Sequence, residues 1–161
     1  MKKIITLLVL TLLYNCNTSA QKKETSEKDV FKVNKTEAEW KQELTPEQFY
    51  VLRQSGTERP FSSDLNKEYN EGVFHCAACN TPLFKSEHKF DSGTGWPSFD
   101  REIKGNVAFS TDNNLGYLRV EEHCATCGGH LGHVFNDGPK NTTGKRHCIN
   151  GVALTFVPKI N

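Results

Sequence analysis

The sequence predicts a mainly β, antiparallel domain introduced by short N-terminal helices. Three observations predict it. From about residue 72 onward the apolar residues come in short or alternating runs, separated by Gly, Asn, Asp and Pro, which is the pattern of strands joined by turns. Helix-start chemistry sits ahead of that point, around Thr45-Pro46-Glu47-Gln48. Two C-x-x-C pairs bracket the middle of the β-rich part, so a local cross-link supplements the core of a modest domain.

Taken in order, the chain of 161 residues begins with a basic Met1-Lys2-Lys3. Residues 4–14 are apolar apart from Thr6 and Thr11. A spanning helix needs about 20 apolar residues, so this run fits a secretory signal better than a membrane anchor. Residues 1–20 are therefore expected to be a signal peptide. Leu13-Tyr14-Asn15-Cys16 reads as a lipoprotein processing box, with Cys16 as a lipid-anchored N-terminus; the competing reading is ordinary cleavage after Ala20. Tyr14 and Asn15 depart from the small residues such a box prefers. Either way the chain is expected to be exported to the cell envelope or periplasm. Residues 21–35 are polar, rich in Lys, Glu, Ser and Thr, and read as a flexible linker. Residues 36–161 make one domain, expected to act as a monomer.

Residues 36–44 form a short helix carrying Trp40 and Leu44 on one side. A second helix follows, with Thr45 as cap, Pro46 at the first helical position and Gln48 completing a capping box. Phe49, Leu52 and Val51 supply its apolar side and Gly56 its stop. The strand runs are 72–75, 83–85, 107–110, 117–121, 130–135 and 152–157. The formal net charge is only +1, with no dense run of Lys or Arg in the folded part. That argues against nucleic acid as a partner, because phosphate-binding surfaces concentrate positive charge.

Six cysteines are present, and their spacing says more than their number. Cys76-Ala77-Ala78-Cys79 and Cys124-Ala125-Thr126-Cys127 are two knuckles with 44 residues between them. Each C-x-x-C turn aims two thiolates at one centre, and two turns complete the tetrahedral four-cysteine shell that zinc prefers. Asn80, and Gly128 with Gly129, supply the tight turns that follow. Four thiolates leave no open position, so one zinc ion per chain would be structural. Two disulfides or a redox-active dithiol are the competing readings, and export makes disulfides chemically reasonable.

Setting aside those four and Cys16 leaves Cys148, in Arg146-His147-Cys148-Ile149-Asn150. A thiol reacts as thiolate, and cationic or hydrogen-bonding neighbours favour that form. If this segment is a strand, Arg146, Cys148 and Asn150 share one face and His147 points away. The bland alternative is a structural cysteine leading into the last strand. His130 and His133, three apart, bring imidazoles that can donate protons near neutral pH. A pair of ordinary core or surface histidines is the alternative. Gly93-Thr94-Gly95-Trp96-Pro97-Ser98-Phe99 is a glycine-hinged loop presenting two aromatics, either to a small apolar group such as a methyl or to the core.

Together these segments resemble the methionine-R-sulfoxide reductase family, type B. The resemblance runs from about Trp40 to Pro158. It rests on the helix start at Thr45, Gly56-Thr57-Glu58-Arg59-Pro60-Phe61, both knuckles, the Trp96 loop, His130-Leu131-Gly132-His133-Val134-Phe135, Asp137-Gly138-Pro139 and the Cys148 segment. It implies a fold of two antiparallel, tent-like sheets with structural zinc away from catalysis. It also implies roles. Cys148 attacks the sulfoxide sulfur, and His133, helped by His130, protonates the departing oxygen. Trp96, with Phe99, receives the substrate methyl, while Arg146 and Asn150 organise the pocket and thiolate. Methionine in oxidised proteins is the implied substrate, and Cys148 is left as a sulfenic acid. Many such enzymes carry a second cysteine to resolve that acid. The stretch 59–66 has none, and Thr94 stands between Gly93 and Gly95. A small thiol or thioredoxin-like protein is therefore the expected reductant. Two rival readings remain, a zinc-stapled binding module on a related β-fold and a zinc-ribbon nucleic-acid binder. Neither has a use for Cys148 or for the imidazoles.

Overall fold

The computed structural model describes residues 31–160. The expected signal peptide, Cys16 and residues 21–30 of the linker lie outside the described residues. Residues 31–35, which composition assigns to the linker, lie against the domain. Val33 N–H donates to the Thr126 carbonyl at 2.9 Å, and the Phe31 ring stands edge-on to His123. Burying these two apolar side chains outweighs the polar character of their neighbours.

Helix α1 (Glu37–Glu43) starts at Thr36, whose hydroxyl accepts from Glu39 N–H while the Glu39 carboxylate accepts from Thr36 N–H. Helix α2 (Pro46–Gln54) repeats the box with Thr45 and Gln48. The helix stops one residue before the expected glycine, on Ser55 in the left-handed region at φ 53°. A Cβ on Gly56 would lie 2.3 Å from the ring of Tyr50, a half-exposed side chain that would have to swing aside. Trp40, Leu44, Phe49, Val51 and Leu52 bury one side of the helical pair against the sheets.

Among the described residues nine strands follow: β1 (Gly72–Cys76), β2 (Pro82–Lys85), β3 (Lys89–Phe90), β4 (Ser98–Phe99), β5 (Val107–Asp112), β6 (Arg119–Cys124), β7 (His130–Phe135), β8 (Arg146–Ile149) and β9 (Leu154–Pro158). They form the expected two antiparallel sheets, one ordered β2-β1-β9 and the other β3-β4-β8-β7-β6-β5. Strands β3 and β4 have two residues each, too short for any periodicity to reveal them. The last strand begins at Leu154 because residues 151–153 wind into a 3-10 turn. The core between the elements is built on Phe74, Leu83, Phe84, Phe99, Leu131, Ile149 and Leu154, all buried. β8 lies in the interior of the larger sheet, between β4 and β7, so its middle residues are held from both sides.

Candidate active site and metal centre

Four cysteines converge first. The Cys76 and Cys79 sulfurs, at the β1–β2 turn, meet those of Cys124 and Cys127, at the β6–β7 turn, with all four ligand atoms within 4.8 Å of one another. The knuckles are built alike: Asn80 N–H donates to the Cys76 carbonyl and Gly128 N–H to the Cys124 carbonyl, each at 2.8 Å. Asn80 (φ 59°) and Gly128 (φ 68°) take the left-handed turn that the spacing requires. Sulfur pairs stand 3.5 and 3.8 Å apart. A tetrahedral shell with bonds of about 2.3 Å has edges of about 3.8 Å, so these residues fit a four-thiolate metal centre and are too far apart for disulfides. The centre joins a turn of the small sheet to a turn of the large one.

The Cys148 thiol stands apart from these ligands. It is partly exposed and, among the described residues, the only cysteine outside the cluster. Register places its neighbours. Cys148 pairs with Ser98 of β4 and His133 of β7, and His133 pairs in turn with Glu121 of β6. Period two then sets Arg146 on the same face and His147 on the reverse, as the sequence predicts. There His147 Nδ1 lies 2.6 Å from the buried Glu122 carboxylate. A cavity of about 130 Å³ opens over Cys148, lined by Thr57, Trp96, Arg119, Gly132, His133, Phe135 and Asn150. It has room for the end of one unbranched side chain. A larger cavity, about 670 Å³, lies over the small sheet around Val73, Lys85 and Val157 and holds no cysteine; size does not locate the chemistry.

Electrostatics separate the roles of these groups. Burial pushes the Cys148 thiol above the ordinary cysteine value, while the Arg146 guanidinium and the Thr94 hydroxyl, 3.9 Å from the sulfur, pull it back. Asp112 is held down to about 2 by the Asn114 N–H, the His133 imidazole and Arg119. It is therefore an acceptor, and His133 donates Nε2–H to its Oδ2 at 2.7 Å. That bond fixes the ring beside the cavity, which His133 lines together with Cys148. Arg119 donates to the same carboxylate oxygen.

A profile of the SelR domain matches residues 44–158. Over 128 residues the chain is 52% identical to "Peptide methionine sulfoxide reductase MsrB" of Chromohalobacter salexigens, covering 79% of this chain and 96% of the relative. The protein of the same name from Methanosarcina barkeri is 55% identical over 125 residues, 77% of this chain and 87% of the relative. The chain belongs to the SelR (MsrB) family. Within this family member, Cys148, His133, Trp96 and Asn150 meet at one cavity, as the sequence reading requires. Three expected residues stand differently. Phe99 does not reach the cavity: it is fully buried, stacked on Phe84 at 4.4 Å and edge-on to Phe74. The pleat explains this, since Ser98 takes the Cys148 face and Phe99 must take the core. His130 also stays out of the cavity, buried behind His133 with its Nδ1 2.6 Å from Glu121 and its ring centre 5.5 Å from that of His133. Arg146 grips Asp137 with two 2.9 Å hydrogen bonds and covers the Phe135 ring, acting on Cys148 by charge from the side.

Asp112 and Arg119 have no local signal in the sequence, and each is an ordinary charged residue until the fold carries it to the site. Glu58 stands inside the 56–61 segment that carries the family resemblance, but nothing in that segment assigns it a role. Asp112 and Arg119 face each other across β5 and β6 in register, a pairing that requires knowing which strands are neighbours.

Proposed function

We propose that this chain reduces methionine-R-sulfoxide in proteins to methionine, as its family relatives' name, peptide methionine sulfoxide reductase, suggests. One observation carries the residue-level reading: the sole described cysteine free of the four-sulfur cluster opens into a small cavity between an indole and an Asp-backed imidazole. The Cys148 thiolate attacks the sulfoxide sulfur and forms an S–S bond; the oxygen takes a proton from His133 and moves to the Cys148 sulfur as the S–O bond and then the S–S bond break. Methionine leaves and Cys148 remains as a sulfenic acid, oxidised by the two electrons the substrate gained. Trp96 packs against the methyl group bonded to the reacting sulfur. The R epimer follows from the family resemblance.

The sulfenic acid is then reduced from outside. One thiol displaces water to form a mixed disulfide with Cys148, and a second thiol releases the enzyme. Thr94, 3.9 Å from the Cys148 sulfur, carries no thiol that could do this internally. The metal centre is read as structural zinc, because four thiolates in tetrahedral spacing match its preference and leave no open position. Leader chemistry supports an exported enzyme that repairs oxidised envelope proteins, with Cys16 as a lipid anchor in one of the two processing readings.

The decisive experiment gives separated R and S sulfoxide peptides to the purified chain with dithiothreitol. Turnover of R alone is expected. Turnover of S alone, or of neither, refutes the proposal. Thiol counting after a single turnover should find no intramolecular disulfide at Cys148.

A further inference from the structure

Glu58 takes no part in the chemistry proposed above, yet three walls of the Cys148 cavity meet on it. It sits in the irregular segment between α2 and the 3-10 turn at Asp64–Lys67, where no helix or strand ladder fixes the backbone. The residue is almost fully buried, at 5% exposure. One carboxylate oxygen accepts from Gly151 N–H at 2.6 Å and the other from Val152 N–H at 2.8 Å, the two amides directly after Asn150. Its own N–H donates to Asn150 Oδ1 at 2.9 Å, and its carbonyl accepts from the Trp96 indole N–H at 3.3 Å. Thr57, the residue before it in the chain, lines the cavity with Trp96 and Asn150.

A buried carboxyl is expensive unless its lone pairs are used, and here two amide donors, one per oxygen, use them. Burial pushes the Glu58 carboxyl up and the two amides pull it down. The approach is tight on the other side as well, since a Cβ on Gly151 would lie 2.1 Å from the Ser63 hydroxyl. The Glu58 backbone is thereby pinned to the end of β8, and through that backbone the indole and the Asn150 amide are pinned to each other. Both ends of the Asn150 amide are held, because its Nδ2 also donates to the Leu131 carbonyl at 2.9 Å.

We infer that Glu58 is the positioning residue of the substrate pocket, holding Trp96 and Asn150 at their working separation across Cys148 without touching the substrate. The inference rests on the reading of that cavity as the sulfoxide site. It predicts a defect in binding rather than in sulfur chemistry, since Cys148, His133 and Asp112 take their positions from the strands and not from Glu58.

The test is Glu58→Gln, in which an NH2 group must face one of the two amide donors, with Glu58→Asp as a second variant that keeps the charge on a shorter stem. Wild type and variants are matched for bound zinc and assayed on an N-acetylated methionine-R-sulfoxide amide with dithiothreitol. KM should rise about tenfold while kcat and the iodoacetamide alkylation rate of Cys148 stay within about threefold, the pattern of lost positioning around an intact nucleophile. Iodide quenching supplies a readout independent of turnover. Of the two tryptophans, Trp40 is buried, so the quenchable emission belongs to Trp96 and should increase in both variants. A folded variant with lowered unfolding temperature but unchanged KM and quenching overturns the inference and leaves Glu58 as a staple of the fold. Failure of both variants to fold with their zinc overturns it in the same sense. If wild type itself turns over no sulfoxide, the functional proposal falls while the quenching comparison still decides whether Glu58 sets the Trp96 wall.

Discussion

At the scale of single residues, the site divides labour between a sulfur and a held proton. Cys148→Ser should retain zinc and fold while sulfoxide turnover falls by about a thousandfold or more, as expected for loss of a nucleophile. Either rival reading, as a binding module, predicts no consequence. Because burial raises the Cys148 thiol, alkylation by iodoacetamide should be slow at neutral pH and keep climbing above the ordinary cysteine range near pH ~8.5. Arg146→Ala removes a neighbouring cation and should slow the reaction further at any given pH below that range. Asp112→Asn leaves the His133 ring without its ionised partner, and kcat should fall about 10- to 100-fold, measured against sulfoxide peptide with dithiothreitol. Cys148, Trp96 and His133 can be read from the sequence because their chemistry is scarce and their motifs are local. Phe99 cannot, because an aromatic beside a glycine hinge suits a pocket and a core equally well, and only the pairing of Ser98 with Cys148 decides which way it points.

At the scale of elements, the active face depends on how closely β7 and β8 run together. Gly132 marks the contact: a Cβ there would fall 2.0 Å from the Cys148 carbonyl oxygen, a backbone atom that cannot swing aside. Gly132→Ala should therefore cost about 2–4 kcal/mol of stability, read from urea unfolding, and lower turnover by shifting Cys148 against His133. The capped helices and the longer strands are legible in the sequence, because Thr45-Pro46-Glu47-Gln48 carries its capping chemistry locally and β7 spans its expected residues. The two-residue strands β3 and β4 are not. β4 pairs along the edge of β8 and β3 along the edge of β4, so both are properties of the sheet and not of their own sequence.

At the scale of the whole molecule, the four-sulfur centre ties the turn of one sheet to the turn of the other. Metal analysis should find one zinc per chain, and removing it with a chelator and a thiol-blocking reagent should lower the unfolding temperature sharply and broaden the transition. Asp112 adds a pH dependence of known sign. Its carboxyl is depressed to about 2 in the folded chain from about 3.9 unfolded, so its contribution to stability is complete above the unfolded value and is lost as pH falls from about 4 toward 2. The stability difference between wild type and Asp112→Asn, followed by unfolding at pH 5, 4 and 3, should shrink as the pH drops.

The sequence by itself determined the antiparallel β class, the capped helices, the four-cysteine cluster and Cys148, the one thiol left outside it among the described residues. Each of these is written in residues a few positions apart, where spacing alone constrains geometry. Tertiary structure decided the supporting cast: Asp112 behind His133, Arg119 in the cavity wall, Phe99 in the core, His130 withdrawn, and Glu58 beneath Trp96 and Asn150. The physical reason is that a carboxylate has no preferred neighbour along the chain. The partners that matter here, His133 at 21 residues from Asp112 and the Gly151 and Val152 amides at more than 90 from Glu58, are chosen by strand register and burial.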